Sequence, residues 1–274
     1  MANDPNLVSC SALMGKRVAI SVSESDDLAR LGLHAAHLDL AVAELTRAIV
    51  FAGGTVVYGG RIDWGFTRIV LDEAERYRES GGAFEHYVPY TEHSEVPIED
   101  LQAYASQLSL KACVRLVDAA GVEQSVAEAS TTSFARADVN SSDSLTAMRE
   151  VTSRISDARV ILGGKVAGFT GAFPGVAEEA AMTVAQGKPL YIAGGFGGAA
   201  TLVGCIVQPD LYSWLPDDLP AGVTFEVRNS VAELVPSQLA EDGLTADERT
   251  LLAQTNRPSD VATLAILGLS RLGL

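Results

Sequence analysis

The sequence predicts an α/β fold: a Rossmann-like, doubly wound, mainly parallel sheet with helices on both faces. Three observations predict it. Short apolar runs alternate with stretches of helical periodicity, as successive βα units do. Three of those runs end in Gly-Gly just before a helix, at Gly59-Gly60, Gly163-Gly164 and Gly194-Gly195. The chain is 47% hydrophobic but only 6% aromatic, so its bulk comes from Ala, Val, Leu and Ile, which suit buried parallel strands under small-faced helices.

Each element follows in order. Lys16 to Val22 (KRVAISV) is a buried first strand, followed by the polar loop Ser23-Glu24-Ser25-Asp26. Leu33 to Phe51 is a helix with Leu38, Val42, Leu45 and Ile49 on one face, stopped by Gly53-Gly54. Thr55 to Tyr58 is a second strand. The next helix carries Val70, Ala74 and Tyr77 in register and closes at Gly81-Gly82. Phe84 to Val88 is a third strand, Pro97 to Leu108 a helix, and Ala112 to Val117 a fourth strand. Residues 120–142 carry no clear period, and the run from Ser130 to Ser133 reads as a loop. Asn140 to Asp143 starts a helix whose apolar face is Leu145, Met148, Val151 and Ile155. Arg159 to Leu162 is a fifth strand, Gly175 to Gln186 a helix, Pro189 to Ala193 a sixth strand and Ala199 to Val207 a short helix. Beyond Gln208 the prolines 209, 216 and 220 interrupt the pattern, and two late helices are expected, at Thr245–Gln254 and Pro258–Leu269. The expected organisation is a flexible leader over residues 1–15, then a single domain over 16–274 with a C-terminal helical extension from about 208.

With 35 acidic against 20 basic residues, the net charge is −15. That field opposes nucleic acid, which needs Lys and Arg to displace counterions, and it disfavours an anionic membrane surface. It leaves room for a small anionic ligand, because a few N–H groups and cations reverse the potential locally. Cys10, Cys113 and Cys205 have no metal-ligand spacing. With no secretory signal and no apolar run of spanning length, they read as reduced thiols of a cytoplasmic protein.

The candidate chemistry lies on the glycine loops. The first is Gly59-Gly60-Arg61, continuing through Gly65-Phe66-Thr67. Glycine lets backbone approach a ligand, the next helix offers free N–H groups to an anion, and Arg61 could fork onto a phosphate. The alternative is a tight turn with a surface arginine. The second runs from Gly163-Gly164-Lys165 through Gly168 and Gly171 to Pro174-Gly175, longer than the usual βα connection of about 2–6 residues. Glu178 and Glu179 follow in the helix. They suit its dipole, or one of them faces a ribose hydroxyl or serves as an acid/base group. The third is Gly194-Gly195-Phe196-Gly197-Gly198, with Phe196 either stacking on a ligand or capping the core. Arg149 is close enough in sequence to approach the second loop. His34 and His37 are one helical turn apart with no further ligand nearby, and no metal or cofactor is expected.

The run Ile161-Leu162-Gly163-Gly164-Lys165 … Pro174-Gly175-Val176-Ala177-Glu178-Glu179-Ala180, with Met148-Arg149, Tyr58-Gly59-Gly60 and Gly194–Gly198, resembles the SLOG (SMF/DprA–LOG) superfamily over roughly residues 16–207. It is most similar to the prokaryotic branch related to the cytosolic N-terminal domain of TRPM channels and to the sensor domain of Thoeris anti-phage effectors. The resemblance implies a pocket for nucleotides or NAD-derived molecules, such as a cyclic ADP-ribose-like signal. It also implies homo-oligomers and an output through self-assembly or a separate effector protein. Lonely-Guy enzymes of the superfamily cleave the N-glycosidic bond of nucleoside 5′-monophosphates. By match, Arg149 and Glu178 or Glu179 would be the catalytic pair. This chain departs from their signature, since no Pro precedes Gly163-Gly164 and no Gly-Thr follows directly. Sensor and N-glycosidase both stand at this point.

Overall fold

The computed structural model describes residues 8–62, 65–77, 82–108, 112–129, 139–216, 220–236 and 238–273. Residues 1–7, Gly81 and the Ser/Thr run at 130–133 lie outside them.

The chain runs β1 (Arg17–Ser23), α1 (Ala35–Phe51), β2 (Thr55–Gly59), α2 (Phe66–Tyr77), β3 (Phe84–Val88), the single turn α3 (Tyr90–His93), α4 (Ile98–Leu108), β4 (Ala112–Val117) and β5 (Glu123–Ser125). The turn α5 (Val126–Ala129), α6 (Ser141–Ile155), β6 (Ala158–Gly163), α7 (Gly175–Ala185), β7 (Leu190–Ala193), α8 (Gly198–Val207), α9 (Phe225–Leu234), α10 (Ala246–Gln254) and α11 (Pro258–Leu272) follow.

Seven strands form one sheet in the order β5-β4-β3-β2-β1-β6-β7. All neighbours are parallel except β4 and β5, which pair antiparallel through Arg115↔Ser125 and Val117↔Glu123. The chain builds outward from β1 to β4, then returns to the other side of β1 with β6 and β7. The order therefore reverses between β1 and β6, where a doubly wound sheet opens a crevice at its carboxyl edge. Those two strands pair over six positions, from Val18↔Ala158 to Ser23↔Gly163.

Strand alternation assigns the faces. Val18, Ile20 and Val22 of β1 and Val160 and Leu162 of β6 join the core under α1, α2, α4 and α11. Ala19, Val57, Tyr87 and Val117 face the other way and pack under Met148 and Val151 of α6. Ile161, Leu190 and Ile192 carry α7 and α8, with Val231 of α9 behind them. Arg159 lies on this second face of β6, and its charge has to be satisfied there.

Four elements were not expected, among them the single turns α3 and α5. β5 is three polar residues, Glu-Gln-Ser, with no apolar alternation; it pairs with β4, and Ser125 N and Oγ each donate to Glu128 Oε2 at 2.7 Å. In α9 one residue, Val231, is buried and Phe225 is 75% exposed, so helical periodicity is faint. Of the expected leader, residues 8–15 are described; Leu13 is buried, and its N–H bonds the Ala52 carbonyl at 2.8 Å. α11, in the expected C-terminal extension, packs along α1. No helix among the described residues is long and apolar enough to cross a membrane. Cys10, Cys113 and Cys205 carry free thiols.

Candidate functional site

A cavity of about 380 Å³ opens over the carboxyl edge of the sheet. Each strand end around the switch point contributes to it. Ser23 comes from β1, Gly60 and Arg61 follow β2, and Pro89, Thr91 and Glu92 follow β3. Lys165, Gly168, Phe169 and Thr170 follow β6, and Gly175 opens α7. Ser141, Leu145 and Arg149 of α6 close the wall. The volume falls within the range of small-molecule sites, about 300–1,000 Å³.

Arg149 is placed by the start of its helix. The Asn140 side chain caps α6 by accepting from Asp143 N at 2.9 Å, and Met148 packs against Gly59 so closely that a Cβ there would collide with its sulfur. Arg149, one residue on, reaches α7, where its Nη1 pairs with Glu178 Oε2. Glu178 Oε1 accepts from Thr146 Oγ1 at 2.6 Å. Both carboxylate oxygens are thus occupied, and Glu178 is 4% exposed and absent from the cavity lining. A Cβ on Gly175 would strike the Arg149 guanidinium, with Cζ at 3.0 Å. The guanidinium therefore lies between its buried carboxylate and the cavity.

Glu179 is rotated about 100° from Glu178, as consecutive helical residues are, and it faces the sheet. Its partner is Arg159, Nη1 to Oε2 3.5 Å. Arg159 is 1% exposed and also donates to Ser21 Oγ (2.7 Å), Thr183 Oγ1 (2.8 Å) and Ser153 Oγ (3.0 Å). Burial depresses the pKa of this guanidinium, and Glu179 opposes that shift. Burial raises the Tyr58 phenol, with Glu179 adding to the effect. This network ties α6, α7, β1 and β6 together beneath the cavity.

The three glycine loops divide. From the second, Lys165 is exposed, has no ion pair among the described residues, and bonds Ser23 Oγ through its backbone N–H at 3.2 Å. Gly163 (φ 61°) and Gly164 (φ 102°) turn the chain where Cβ atoms would meet Ser23 O at 2.6 Å and Ala199 Cβ at 2.9 Å. Gly171 lies beside the Arg149 guanidinium, and Pro174 is the N-cap of α7. From the first loop, Gly60 and Arg61 reach the cavity. Gly65 and Phe66 do not line it, and Thr67 is buried, tying the loop by donating to Arg61 O at 2.8 Å. His86 underpins the same loop with Nε2 3.2 Å from Gly60 O, and burial pushes its imidazole down to about 4.

The third loop stands apart from the cavity. Gly194, Gly195 and Gly197 are buried, and Phe196 is fully buried in the core. A Cβ on Gly195 would strike the Thr255 carbonyl beyond α10, and one on Gly197 would strike Asp27. The Asp27 carboxylate accepts from Gly198 N and Ala221 N, each at 2.6 Å, so it fills the N-terminal anion position of α8. These glycines have packing reasons.

Ser23, Pro89, Thr91, Glu92, Ser141 and Leu145 line the cavity without having been singled out from sequence. Glu92 pairs with Arg61, Oε1 to Nε 3.2 Å. No group of three potential metal ligands forms among the described residues. His34 and His37 form the cap of α1, with His34 N donating to His37 Nδ1 at 3.0 Å.

No curated protein matches the chain. The family model described as SLOG cluster2 matches residues 12–257, from before β1 to the loop ahead of α11. With its mainly parallel sheet and its glycine-bearing cavity at the switch point, the chain belongs to the SLOG superfamily, in the family SLOG cluster2.

Proposed function

We propose that the cavity binds a nucleotide or NAD-derived ligand, of the cyclic ADP-ribose kind, as a signal, and releases it unchanged. One observation carries the preference for sensing. Arg149 meets the cavity while Glu178 lies behind it with both oxygens engaged. A carboxylate that stabilises a ribosyl cation or positions water must face the reacting carbon. An arginine backed by a buried carboxylate is instead a rigid, pre-oriented anion fork. Lys165 adds a cation with no described ion pair to the same cavity, beside an Arg61 already paired with Glu92, in a chain of charge −15, which supports an anionic small molecule rather than a polyanion. The output would be a change in self-association or contact with a separate effector in the cytoplasm.

The second reading is an N-glycosidase, and the pairing of Arg149 with Glu178 on neighbouring helices favours it. One experiment separates the two. The pure protein is incubated with nucleoside monophosphates, NAD, ADP-ribose and cyclic ADP-ribose isomers, and bound and free species are weighed by mass spectrometry. Intact ligand, lost from Arg149→Gln, is the expected result. Free base released with turnover, and abolished in Glu178→Gln, would make the protein a hydrolase.

A further inference from the structure

We infer that Glu92 is the hydroxyl-recognising group of the cavity, so that the ligand is a ribosyl phosphate whose vicinal hydroxyls are free. The inference rests on the proposed binding of a nucleotide-type ligand. It starts from the distribution of charge around the cavity. Among the described lining residues Glu92 is the one carboxylate, against the cations Arg61, Arg149 and Lys165. The two glutamates that the sequence offers for a ribose contact, Glu178 and Glu179, are both spent on buried arginines.

Glu92 is held where a carboxylate can be used. Its one-turn helix is fastened on both sides of it: Thr91 N donates to Ser144 Oγ at 3.1 Å, and His93 Nε2 lies 3.0 Å from Val117 O. Arg61 Nε holds Oε1 of Glu92 at 3.2 Å, and the Arg61 backbone is tied by Thr67. The Glu92 side chain is 36% exposed, so its carboxylate reaches both solvent and the cavity. A carboxylate only accepts, and a vicinal diol offers two donors. A phosphate placed at the same end would be repelled by Glu92, whose charge already offsets that of Arg61. The cavity therefore has two ends. Arg149 of α6, whose guanidinium lies against Gly175 at the start of α7, takes the anion, with Lys165 in the same lining. The Glu92–Arg61 pair takes the neutral, hydroxyl-bearing part.

The test uses a probe without a base, so that base identity does not enter. Methyl β-D-ribofuranoside 5-phosphate and its 2,3-dideoxy counterpart are titrated into wild type, Glu92→Gln and Arg149→Gln, with binding followed by ligand-observed NMR. Wild type is expected to prefer the diol by about tenfold, the usual scale for losing hydrogen bonds to a charged group. Glu92→Gln should shrink that preference to about threefold or less while still binding the dideoxy compound as wild type does. Equal affinity of wild type for both compounds, with both lost in Arg149→Gln, would overturn the role of Glu92 and leave the anion end standing. Equal tightening of both compounds by Glu92→Gln would make Glu92 a plain repulsive charge and would also overturn it. Failure of either compound to bind wild type at millimolar concentration would overturn both this inference and the binding reading it rests on.

Discussion

Exchange of Arg149 for Met removes the one cation paired with Glu178 among the described residues. The Glu178 side chain is 6% exposed and would keep a single described donor, Thr146 Oγ1 at 2.6 Å. Stranding a buried charge in this way costs about 3–5 kcal/mol. For a chain of this length each kcal/mol lowers Tm by roughly 2 °C, so a fall of about 6–10 °C is expected. The assay is reversible urea unfolding of ligand-free protein near neutral pH, with thermal unfolding as a second readout. The double variant Arg149→Met/Glu178→Met removes both charges and keeps much of the volume. It should unfold within about 1 kcal/mol of wild type, because isosteric apolar replacement of a buried pair is often neutral. The cycle then yields a coupling of about 2 kcal/mol or more. If Arg149→Met alone costs under about 1 kcal/mol, the pair behaves as a solvated surface bridge. Glu178 would then be free to turn toward ligand, and the argument for sensing over cleavage would fail with it.

Other consequences follow from the same geometry. His86 has a folded pKa of about 4 against 6.5 in the unfolded chain. Its neutral form therefore contributes stability above pH 6.5 that drains away as pH falls toward 4, by on the order of 3 kcal/mol; urea unfolding across this window should show a shallower acid slope in His86→Gln than in wild type. Gly164 has φ 102° and a Cβ position 2.9 Å from Ala199 Cβ, whereas Gly168 has φ 62° and open space around it. Gly164→Ala should accordingly cost about 2 kcal/mol or more, and Gly168→Ala only about 1 kcal/mol, in the same unfolding assay. Lys165 is exposed and makes no described ion pair. Lys165→Ala should leave stability within about 0.5 kcal/mol yet weaken ligand binding about tenfold at low salt, as equilibrium dialysis would read.

Much of this was legible from residues alone, and the boundary has a physical cause. The central parallel strands announce themselves because both faces are buried, most completely in β6, so they read as apolar runs. β5 and α9 do not, because Glu123–Ser125 is fixed by an edge pairing and α9 buries little more than Val231. Local pattern reports burial of a segment, and these segments have almost none. The site follows the same division. The loop from Gly163 to Gly175 can be found from its glycines, since so many before one helix need an explanation, whereas Arg149 is suggested by its nearness in sequence to that loop and by the family resemblance. Which of Glu178 and Glu179 turns toward Arg149 cannot be found in this way, because adjacent helical positions differ by about 100° and only the neighbouring elements decide what each one meets.

Glycine and glutamate illustrate what a motif leaves open. A Gly-Gly after a strand is required equally by a ligand and by a second backbone approaching closely, and the chain alone does not distinguish them. Here α10 and Asp27 supply the approach at Gly194–Gly198, so the richest glycine cluster in the sequence is the one away from the cavity. Asp27 makes the division sharper, since its carboxylate already satisfies the α8 amide that an anionic ligand would otherwise seek. An incoming anion is then directed to the other helix at the switch point, α7, where Arg149 waits on its buried glutamate. Glu92 is the converse case, on a single helical turn after β3 with no glycine near it. The available signal for it was topological. Every loop that leaves the carboxyl edge beside the switch point converges on one crevice, so polar residues just past β3 were candidates whatever their local motif.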